Sequence, residues 1–180
     1  MKYFVDTEFY EDGKTIDLIS LGVVAEDGRE LYLCNREAQL HRVNDWVRAN
    51  VLPQLPPYGD PAWVTRQEIA DRLTLFTGGN VPSRQFSGVT ISSDIPDHTK
   101  VSFVGYYCDY DWVVLCQLFG TMIDLPKHFP MWCYDLKQLS VDVGSPKHPP
   151  DPKDEHNALA DARWNRDLYA FLMSKKVSGG

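Results

Sequence analysis

Two acidic residues stand close together at the end of the first apolar segment. Asp6 and Glu8 follow Tyr3-Phe4-Val5 directly and are separated by one residue. If the strand continues through them, both side chains point to the same face of the sheet. Two neighbouring carboxylates repel each other unless a cation neutralises them, and Mg²⁺ and Mn²⁺ prefer carboxylate oxygens. The pair therefore predicts a divalent-metal site, whereas the alternative for a single D-x-E is two exposed acids at a strand end.

A further candidate ligand lies where an apolar strand gives way to an apolar helix. Residues 101–107 (VSFVGYY) have the composition of a strand, and residues 111–119 (DWVVLCQLF) have helical spacing. Asp109 and Asp111 stand at the junction. An acid here either caps the helix by accepting backbone N–H groups or serves as a third metal ligand directed at the first strand. The residues alone leave both roles open for either acid.

The segment EHNALADAR carries a histidine and an acid five positions apart, His156 and Asp161. This gap does not match one face of an ideal helix. The two side chains meet if His156 precedes the helix, Asn157 caps it and Asp161 lies in its second turn. The alternatives are an exposed histidine, and an Asp161 that merely pairs with Arg163 or Arg166.

These residues require a sheet to position them, and the first third of the chain predicts three consecutive strands. Residues 16–25 (IDLISLGVVA) are almost continuously apolar, as in a strand covered on both faces. Glu26-Asp27-Gly28 is a turn signal, and residues 30–34 (ELYLC) resume the strand character. Asp-Gly between two such segments indicates a hairpin.

The remainder of the chain alternates helices with strands. Helical spacing is shared by Leu40, Val43, Trp46, Val47 and Val51. Thr65 and Glu68 predict a capping box at the start of the next helix. The later elements are predicted as a strand over 101–107, a helix over 111–119, a strand over 131–134 and helices over 135–143 and 157–173. This order predicts an α/β fold with a mixed β-sheet flanked by helices.

The length of the chain predicts a single domain. Its 180 residues with 43% hydrophobic content are enough for one core, which we assign to residues 1–176. Residues 78–99 are polar, with Gly, Pro and Ser throughout, and predict an exposed loop insertion. Residues 177–180 end in Ser-Gly-Gly and predict a flexible tail.

The charge of the chain bears on its partners. The formal net charge is −7 and the sequence pI is about 5.1. A protein that binds duplex DNA through many phosphate contacts is usually basic. A carboxylate cluster that holds divalent cations makes the bare chain acidic, and the bound ions reverse the local sign. The acidity therefore disfavours a non-catalytic DNA binder more than a metal-dependent nuclease.

Cysteine usage and hydropathy predict a cytoplasmic protein with no membrane partner. None of Cys34, Cys108, Cys116 and Cys133 forms a C-x-x-C pair, and their apolar surroundings predict buried, reduced thiols. The first residues, MKYFVDTEF, do not have the pattern of a signal peptide, and no apolar segment is long enough to span a membrane.

The order of these motifs resembles the DEDDh 3′→5′ exonucleases over most of the chain. The matching residues are DTEF (6–9), the turn at Asp111 and HNALADA (156–162). The segment after DTEF, together with YDWVVLCQLFG (110–120), is similar to a small bacterial and phage branch of exoribonucleases. The resemblance implies a ribonuclease-H-like fold and selects Asp111 over Asp109 as the ligand. Residues 78–99 are longer than expected for this branch.

The resemblance also implies roles for individual residues. Two Mg²⁺ or Mn²⁺ ions would be held by Asp6, Glu8, Asp111 and Asp161, with all four acids and His156 in the catalytic site. His156 would be the general base, and Thr7 and Phe9 would bind the substrate. The reaction would release nucleoside 5′-monophosphates from the 3′ end of single-stranded RNA. Relatives of this kind are often homodimers, and Trp46 and Trp63 offer an apolar contact surface.

Three alternatives are open. The same site would fit single-stranded DNA, because a metal site acts on a phosphodiester and does not report the sugar. A catalytically silent nucleic-acid-binding module of the same fold is a second reading, although such a module would be expected to lose one of the five catalytic residues. The third is a metal-dependent phosphatase or nucleotide hydrolase with the same acids.

Overall fold

The computed structural model describes residues 1–81 and 101–178, which form a six-stranded mixed sheet flanked by helices. The strands are β1 (Lys2–Glu11), β2 (Ile16–Ala25), β3 (Glu30–Asn35), β4 (Trp63–Val64), β5 (Ser102–Gly105) and β6 (Cys133–Asp135). The helices are α1 (Asp45–Asn50), α2 (Arg66–Phe76), α3 (Asp109–Cys116), α4 (Leu136–Asp142) and α5 (Ala158–Ser178). Short 3-10 helices occupy Leu52–Gln54 and Met122–Asp124. The α/β class predicted from the sequence is confirmed.

The spatial order of the strands is β4-β3-β2-β1-β5-β6. β1 pairs with β2, and β2 with β3, in antiparallel fashion, whereas the other neighbours are parallel. The hairpin between β2 and β3 closes at the predicted Asp-Gly turn, where Gly28 has φ 91° and donates its N–H to the Ala25 carbonyl. β1 is therefore a central strand: its first residues pair with parallel β5, and its carboxyl end extends past β5 and pairs with antiparallel β2.

Helices cover both faces of the sheet because the central strands are apolar on both sides. Tyr3 and Val5 pack in one cluster, with side chains of α2 and α3, and Phe4 packs in the other, with side chains of α4 and α5. The alternation along β1 continues past the core. Asp6 and Glu8 thus share the face of Phe4, toward α5, while Thr7 shares the face of Val5, toward α3.

Several element boundaries differ from those predicted. β1 continues to Glu11 because its backbone pairs with β2 as far as Ile16, irrespective of its polar side chains. The helix expected from Leu40 begins only at Asp45, because the Asn44 side chain accepts the Val47 N–H and caps it there. The short strand β4 was not predicted.

Two further differences concern the second half of the chain. α3 spans Asp109–Cys116 rather than the predicted 111–119, so Asp111 lies within its first turn rather than at its first position. α5 continues to Ser178, past the predicted end at 173 and into the segment predicted as a tail from 177. Of the predicted loop at 78–99, residues 82–99 lie outside the described residues.

The structure also bears on the predicted capping box, the burial of the cysteines and the predicted absence of a membrane span. The capping box is present, with the Glu68 N–H bonded to the Thr65 hydroxyl and the Glu68 carboxylate accepting from the Thr65 N–H. Cys34, Cys108 and Cys116 are buried, as their apolar neighbours predict, whereas Cys133, predicted to be buried too, is only half-buried. Among the described residues, no helix combines the length and apolarity needed to cross a bilayer.

Gly22 allows the first turn of α5 to lie directly against β2. Gly22 is the partner of Asp6 in the β1–β2 register. A Cβ at Gly22 would lie 2.1 Å from the Ala158 carbonyl oxygen and 2.4 Å from the Leu159 nitrogen. Both are backbone atoms, which cannot rotate away as a flexible side chain does. The absence of a side chain at Gly22 is therefore what brings the beginning of α5 next to Asp6.

We expect Gly22→Ala to lower the free energy of unfolding by about 3 kcal/mol or more, because the methyl group would force α5 away from the sheet. Gly28→Ala is the matched control. Its Cβ would meet nothing within 4 Å, but its φ is +91°, so the expected loss is about 1–2 kcal/mol. Chemical denaturation measures both, and equal losses would contradict the proposed role of Gly22.

Candidate active site

Three of the predicted ligands converge at the end of β1. Asp6, Glu8 and Asp161 each offer a carboxylate oxygen, and these oxygens all lie within 4.8 Å of one another. Asp6 and Glu8 come from one face of β1, and Asp161 comes from the beginning of α5. Glu8 is buried, and Asp6 and Asp161 are half-buried. Oxygen ligands gathered at this spacing are suited to a hard divalent cation.

Asp111 enters the site from α3 and is held by Thr7. Its Oδ1 accepts the backbone N–H of Thr7 at 2.8 Å and also the Thr7 hydroxyl. Asp111 is buried, whereas Asp109 is exposed and does not line the same cleft. Asp111 is not one of the three acids whose oxygens lie within 4.8 Å. It lines the cleft beside them, so the structure favours Asp111 over Asp109.

The Thr7 hydroxyl is occupied by its bond to Asp111. Thr7 lies on the opposite face of β1 from Asp6 and Glu8, and it is 5% exposed. In the structure it fixes Asp111 relative to β1, although it also lines the cleft. Its predicted contact with substrate stays a prediction.

His156 and Asp161 are brought together by the turn that starts α5. The Asn157 side chain accepts the N–H groups of Leu159 and Ala160, each at 3.2 Å, and thereby caps the helix as predicted. His156 adopts a left-handed backbone conformation with φ 69°. In this conformation its backbone N–H donates to Oδ2 of Asp161 at 2.9 Å.

The His156 ring lies against Trp46 of α1. The ring centroids are 4.8 Å apart and the planes are inclined by 76°, which is an edge-to-face contact. The neighbouring Asn157 side chain donates to the Gln54 carbonyl at 3.2 Å. Residues of the α1 region thus support the histidine from outside the sheet, a contact that the sequence did not predict.

The arginines that follow Asp161 along α5 bind elsewhere. Arg163 forms two hydrogen bonds to the Glu30 carboxylate, and Arg166 pairs with Asp167. The alternative in which Asp161 merely pairs with one of them is therefore wrong.

The clustered carboxylates resist ionisation. Burial, followed by the negative charges of Asp111, Glu8 and Asp161, raises the pKa of Asp6 well above its usual value. Burial is also the main reason why the pKa of Glu8 is raised to about 8 and that of Asp161 to about 6. For Asp111, burial raises the pKa to about 6 although the hydrogen bonds from Thr7 oppose the shift. A bound cation would reverse these shifts.

These residues line one cleft of about 320 Å³. The acids that line it are Asp6, Glu8, Asp111, Asp151, Glu155 and Asp161. The rings that line it are Phe9, Tyr106, Tyr107, His156 and Trp164. Sequence reasoning missed Asp151, Glu155 and the wall formed by Tyr106, Tyr107 and Trp164. The available signals were the two tyrosines that end the strand segment VSFVGYY and the acids flanking the proline-rich connection before His156.

A mixed sheet with both faces covered by helices, and with acids clustered beside its first strand, defines a ribonuclease-H-like nuclease domain. The model of the 3′-5′ exoribonuclease Rv2179c-like domain family matches residues 1–173, and the chain belongs to this family. It is 45% identical over 180 residues to the 3′-5′ exoribonuclease Rv2179c of Mycobacterium tuberculosis strain H37Rv. The protein named 3′-5′ exoribonuclease MT2234.1, from strain CDC 1551, matches equally. Both alignments cover 99% of this chain and 97% of the relative. The protein is therefore an exonuclease, as the resemblance implied.

The raised carboxylate pKa values predict that the cation-free protein loses stability as the pH rises. Unfolded Asp and Glu have a pKa near about 4, whereas the folded values are about 6 for Asp111 and Asp161 and about 8 for Glu8. Between about pH 4 and about pH 8 the folded chain therefore binds more protons than the unfolded chain does. This contribution to stability is complete below about pH 4 and is lost as the pH passes about 6 and then about 8.

We expect the melting temperature in EDTA to fall between about pH 5 and pH 8, and added Mg²⁺ or Mn²⁺ to reverse the fall. Glu8→Gln should flatten the decrease above about pH 6.5, because it removes a group whose pKa is raised to about 8. Glu11→Gln changes an exposed acid of the same strand and should keep the wild-type slope. A melting temperature that rises over this range would show that the acids are not destabilised by burial.

Proposed function

We propose that the protein removes nucleotides from the 3′ end of single-stranded RNA and releases nucleoside 5′-monophosphates. The observation that carries the proposal is the convergence of Asp6, Glu8 and Asp161 within 4.8 Å, beside Asp111 and His156 in one cleft. The names of the two mycobacterial relatives, both 3′-5′ exoribonucleases, support RNA as the substrate and the 3′ end as the starting point.

The donor set fits a pair of divalent cations. It offers only oxygen ligands, and the pKa values of all four acids are raised by burial, so a positive charge at this position would relieve an existing electrostatic cost. Asp6, Glu8, Asp111 and Asp161 would hold two Mg²⁺ or Mn²⁺ ions. When bound, such ions lower the pKa of a water molecule and stabilise negative charge on the leaving 3′ oxygen.

His156 is proposed as the general base, taking a proton from the attacking water through its ring. The ring lines the cleft, and its position is supported at two points. Its backbone N–H is bound to Asp161, and its ring packs on Trp46. These contacts fix His156 beside Asp161, one of the proposed metal ligands.

Phe9 is proposed to stack on the terminal base. It lines the cleft and is half-buried, so it does not belong to the closed core. Its ring stacks on Tyr110, with centroids 5.8 Å apart and planes inclined by 9°. This contact holds the Phe9 ring in place beside the acids. Stacking of a base on an aromatic side chain is worth about 1–3 kcal/mol and tolerates every base.

The RNA preference and the homodimer remain predictions of the resemblance, and the cytoplasmic setting remains a prediction from cysteine usage and hydropathy. Trp46, the residue offered for a dimer contact, is 55% exposed, whereas Trp63 is half-buried against Tyr58. Single-stranded DNA is the second candidate substrate.

The reaction is tested with a 5′-labelled single-stranded RNA, incubated with Mg²⁺ or Mn²⁺ and separately with EDTA. We expect a ladder that shortens from the 3′ end and disappears with EDTA. Asp111→Asn should abolish it, because a ligand and its two bonds to Thr7 are altered. Asp109→Asn, two residues away but exposed and outside the cleft, should keep full activity.

A DNA of the same sequence, assayed in parallel, tests the sugar preference. Faster degradation of the DNA would replace the RNA assignment with an exodeoxyribonuclease. Hydrolysis of free nucleotides with both polymers left intact would favour a nucleotide hydrolase, and metal binding without any hydrolysis would favour a silent binding module.

His156→Ala should lower kcat by about 10²–10⁴-fold, the usual contribution of a general base. Metal binding should remain close to that of the wild type, because the four acids are unchanged, and isothermal titration with Mn²⁺ measures it. His41→Ala removes an exposed histidine outside the cleft and is the control. Full turnover in His156→Ala would rule out its role as the base.

A further inference from the structure

An exposed tyrosine borders the acidic cleft in an unusual backbone conformation. Tyr107 is the second residue after β5, the strand that neighbours β1, and it lines the cleft although it is 60% exposed. Its φ is 54°, in the left-handed region that residues other than glycine rarely adopt. Conformations of this kind cost energy and persist only where surrounding contacts determine them.

Neighbouring rings hold the Tyr107 side chain. Tyr106 packs against Tyr107 with ring centroids 4.7 Å apart and planes inclined by 67°. Tyr106 in turn packs edge-to-face on Trp164 of α5 at 5.3 Å. The Trp164 indole donates to the Pro150 carbonyl at 3.0 Å, which ties this wall to the proline-rich connection. Tyr107 is thus the exposed end of a packed aromatic row.

A lysine lies over the same ring. Lys137 Nζ is 5.6 Å from the centroid of Tyr107, within the range of a cation–π contact. The Asp135 carboxylate accepts hydrogen bonds from the backbone next to each of these two residues. Oδ2 of Asp135 accepts the N–H of Cys108, the residue after Tyr107, and Oδ1 accepts the N–H of Gln138, the residue after Lys137. Asp135 therefore ties the backbone next to Tyr107 to the backbone next to Lys137.

The acidic lining of the cleft is the reason why a lysine beside it would favour the binding of a phosphate. Among the residues that the structure describes, six acids line the cleft, and no lysine or arginine does. Bound cations would neutralise the scissile phosphate, but the next phosphate of the strand would still face negative side chains. Lys137 places a positive charge at the rim, beside the ring on which a base can stack.

We propose that Tyr107 and Lys137 form a subsite for the nucleotide that precedes the 3′-terminal one, with the base stacked on Tyr107 and its phosphate near Lys137. The proposal rests on the proposed exonuclease reaction on a single strand. Phe9 lies on β1, Tyr107 lies just after the neighbouring strand β5, and both line the same cleft. Two successive bases can therefore stack on the two rings while the terminal phosphodiester lies at the acids.

The subsite is tested by removing the base from one nucleotide at a time in the RNA. Substrates with an abasic residue at the terminal, second or third position from the 3′ end are compared with the intact strand, for the wild type and Tyr107→Ala. We expect Tyr107→Ala to raise KM for the intact RNA by about 5- to 100-fold, the scale of one stacked base, with little change in kcat. On the substrate abasic at the second position, the variant and the wild type should have equal KM.

The controls separate a lost contact from a damaged fold. Tyr107→Phe keeps the ring and should keep the wild-type KM, and Tyr58→Ala removes a tyrosine that is 78% exposed outside the cleft. Lys137→Met should raise KM and reduce its dependence on salt, whereas Lys127→Met, which changes an exposed lysine outside the cleft, should not. An unchanged KM in Tyr107→Ala would overturn the proposal. So would a result in which the variant and the wild type have equal KM on the substrate abasic at the terminal or third position but different KM on the substrate abasic at the second. A wild type inactive on every strand would instead refute the proposed reaction.

Discussion

The site depends on the direct contact between the backbone of β2 and the first turn of α5. Gly22 makes this contact possible, since any side chain there would occupy the space of the Ala158 carbonyl. The contact is reinforced deeper in the sheet, where the buried Asn165 side chain donates to the Val5 carbonyl at 2.9 Å. α5 is thereby held across β1 and β2 at two points, and Asp161 has no freedom to move away from Asp6. The carboxylates remain close together because the backbone beneath them cannot separate.

This proximity has an electrostatic cost that the rest of the fold offsets. Asp6 and Glu8 follow a strand segment whose side chains are buried on both faces, so the acids lie at the edge of a well-packed core. Burial raises their pKa values more than the neighbouring charges do. Two hydrogen bonds from Thr7 partly compensate Asp111. An acidic chain and a phosphate substrate are compatible on this basis, because the site is arranged to attract a cation first.

The elements that could be predicted from the sequence are those determined by local physics. β2 has the predicted bounds because its ten residues are nearly all apolar and a turn signal follows them. The capping box at Thr65 is a contact over three residues and is equally local. The positions of Asp6, Glu8 and Asp161 followed from strand periodicity, helix capping and the order of the motifs.

What could not be predicted depends on contacts between distant parts of the chain. The edge contact of Trp46 with His156 joins residues 110 positions apart, and the bond of Thr7 to Asp111 joins residues 104 apart. The left-handed backbone of Tyr107 has no signature in residue type, because tyrosine is not one of the residues enriched in that region. β1 extends through polar residues since pairing with β2, rather than hydrophobicity, sets its end.

The separation of the acids along the chain has a consequence for biosynthesis. Asp6 and Glu8 are synthesised about 150 residues before Asp161. A nascent polypeptide that has not reached α5 holds neither the complete carboxylate cluster nor His156, however well its sheet has formed. The cluster therefore cannot exist while the messenger that encodes these residues is still being read, and it is completed only when the helix over Gly22 docks.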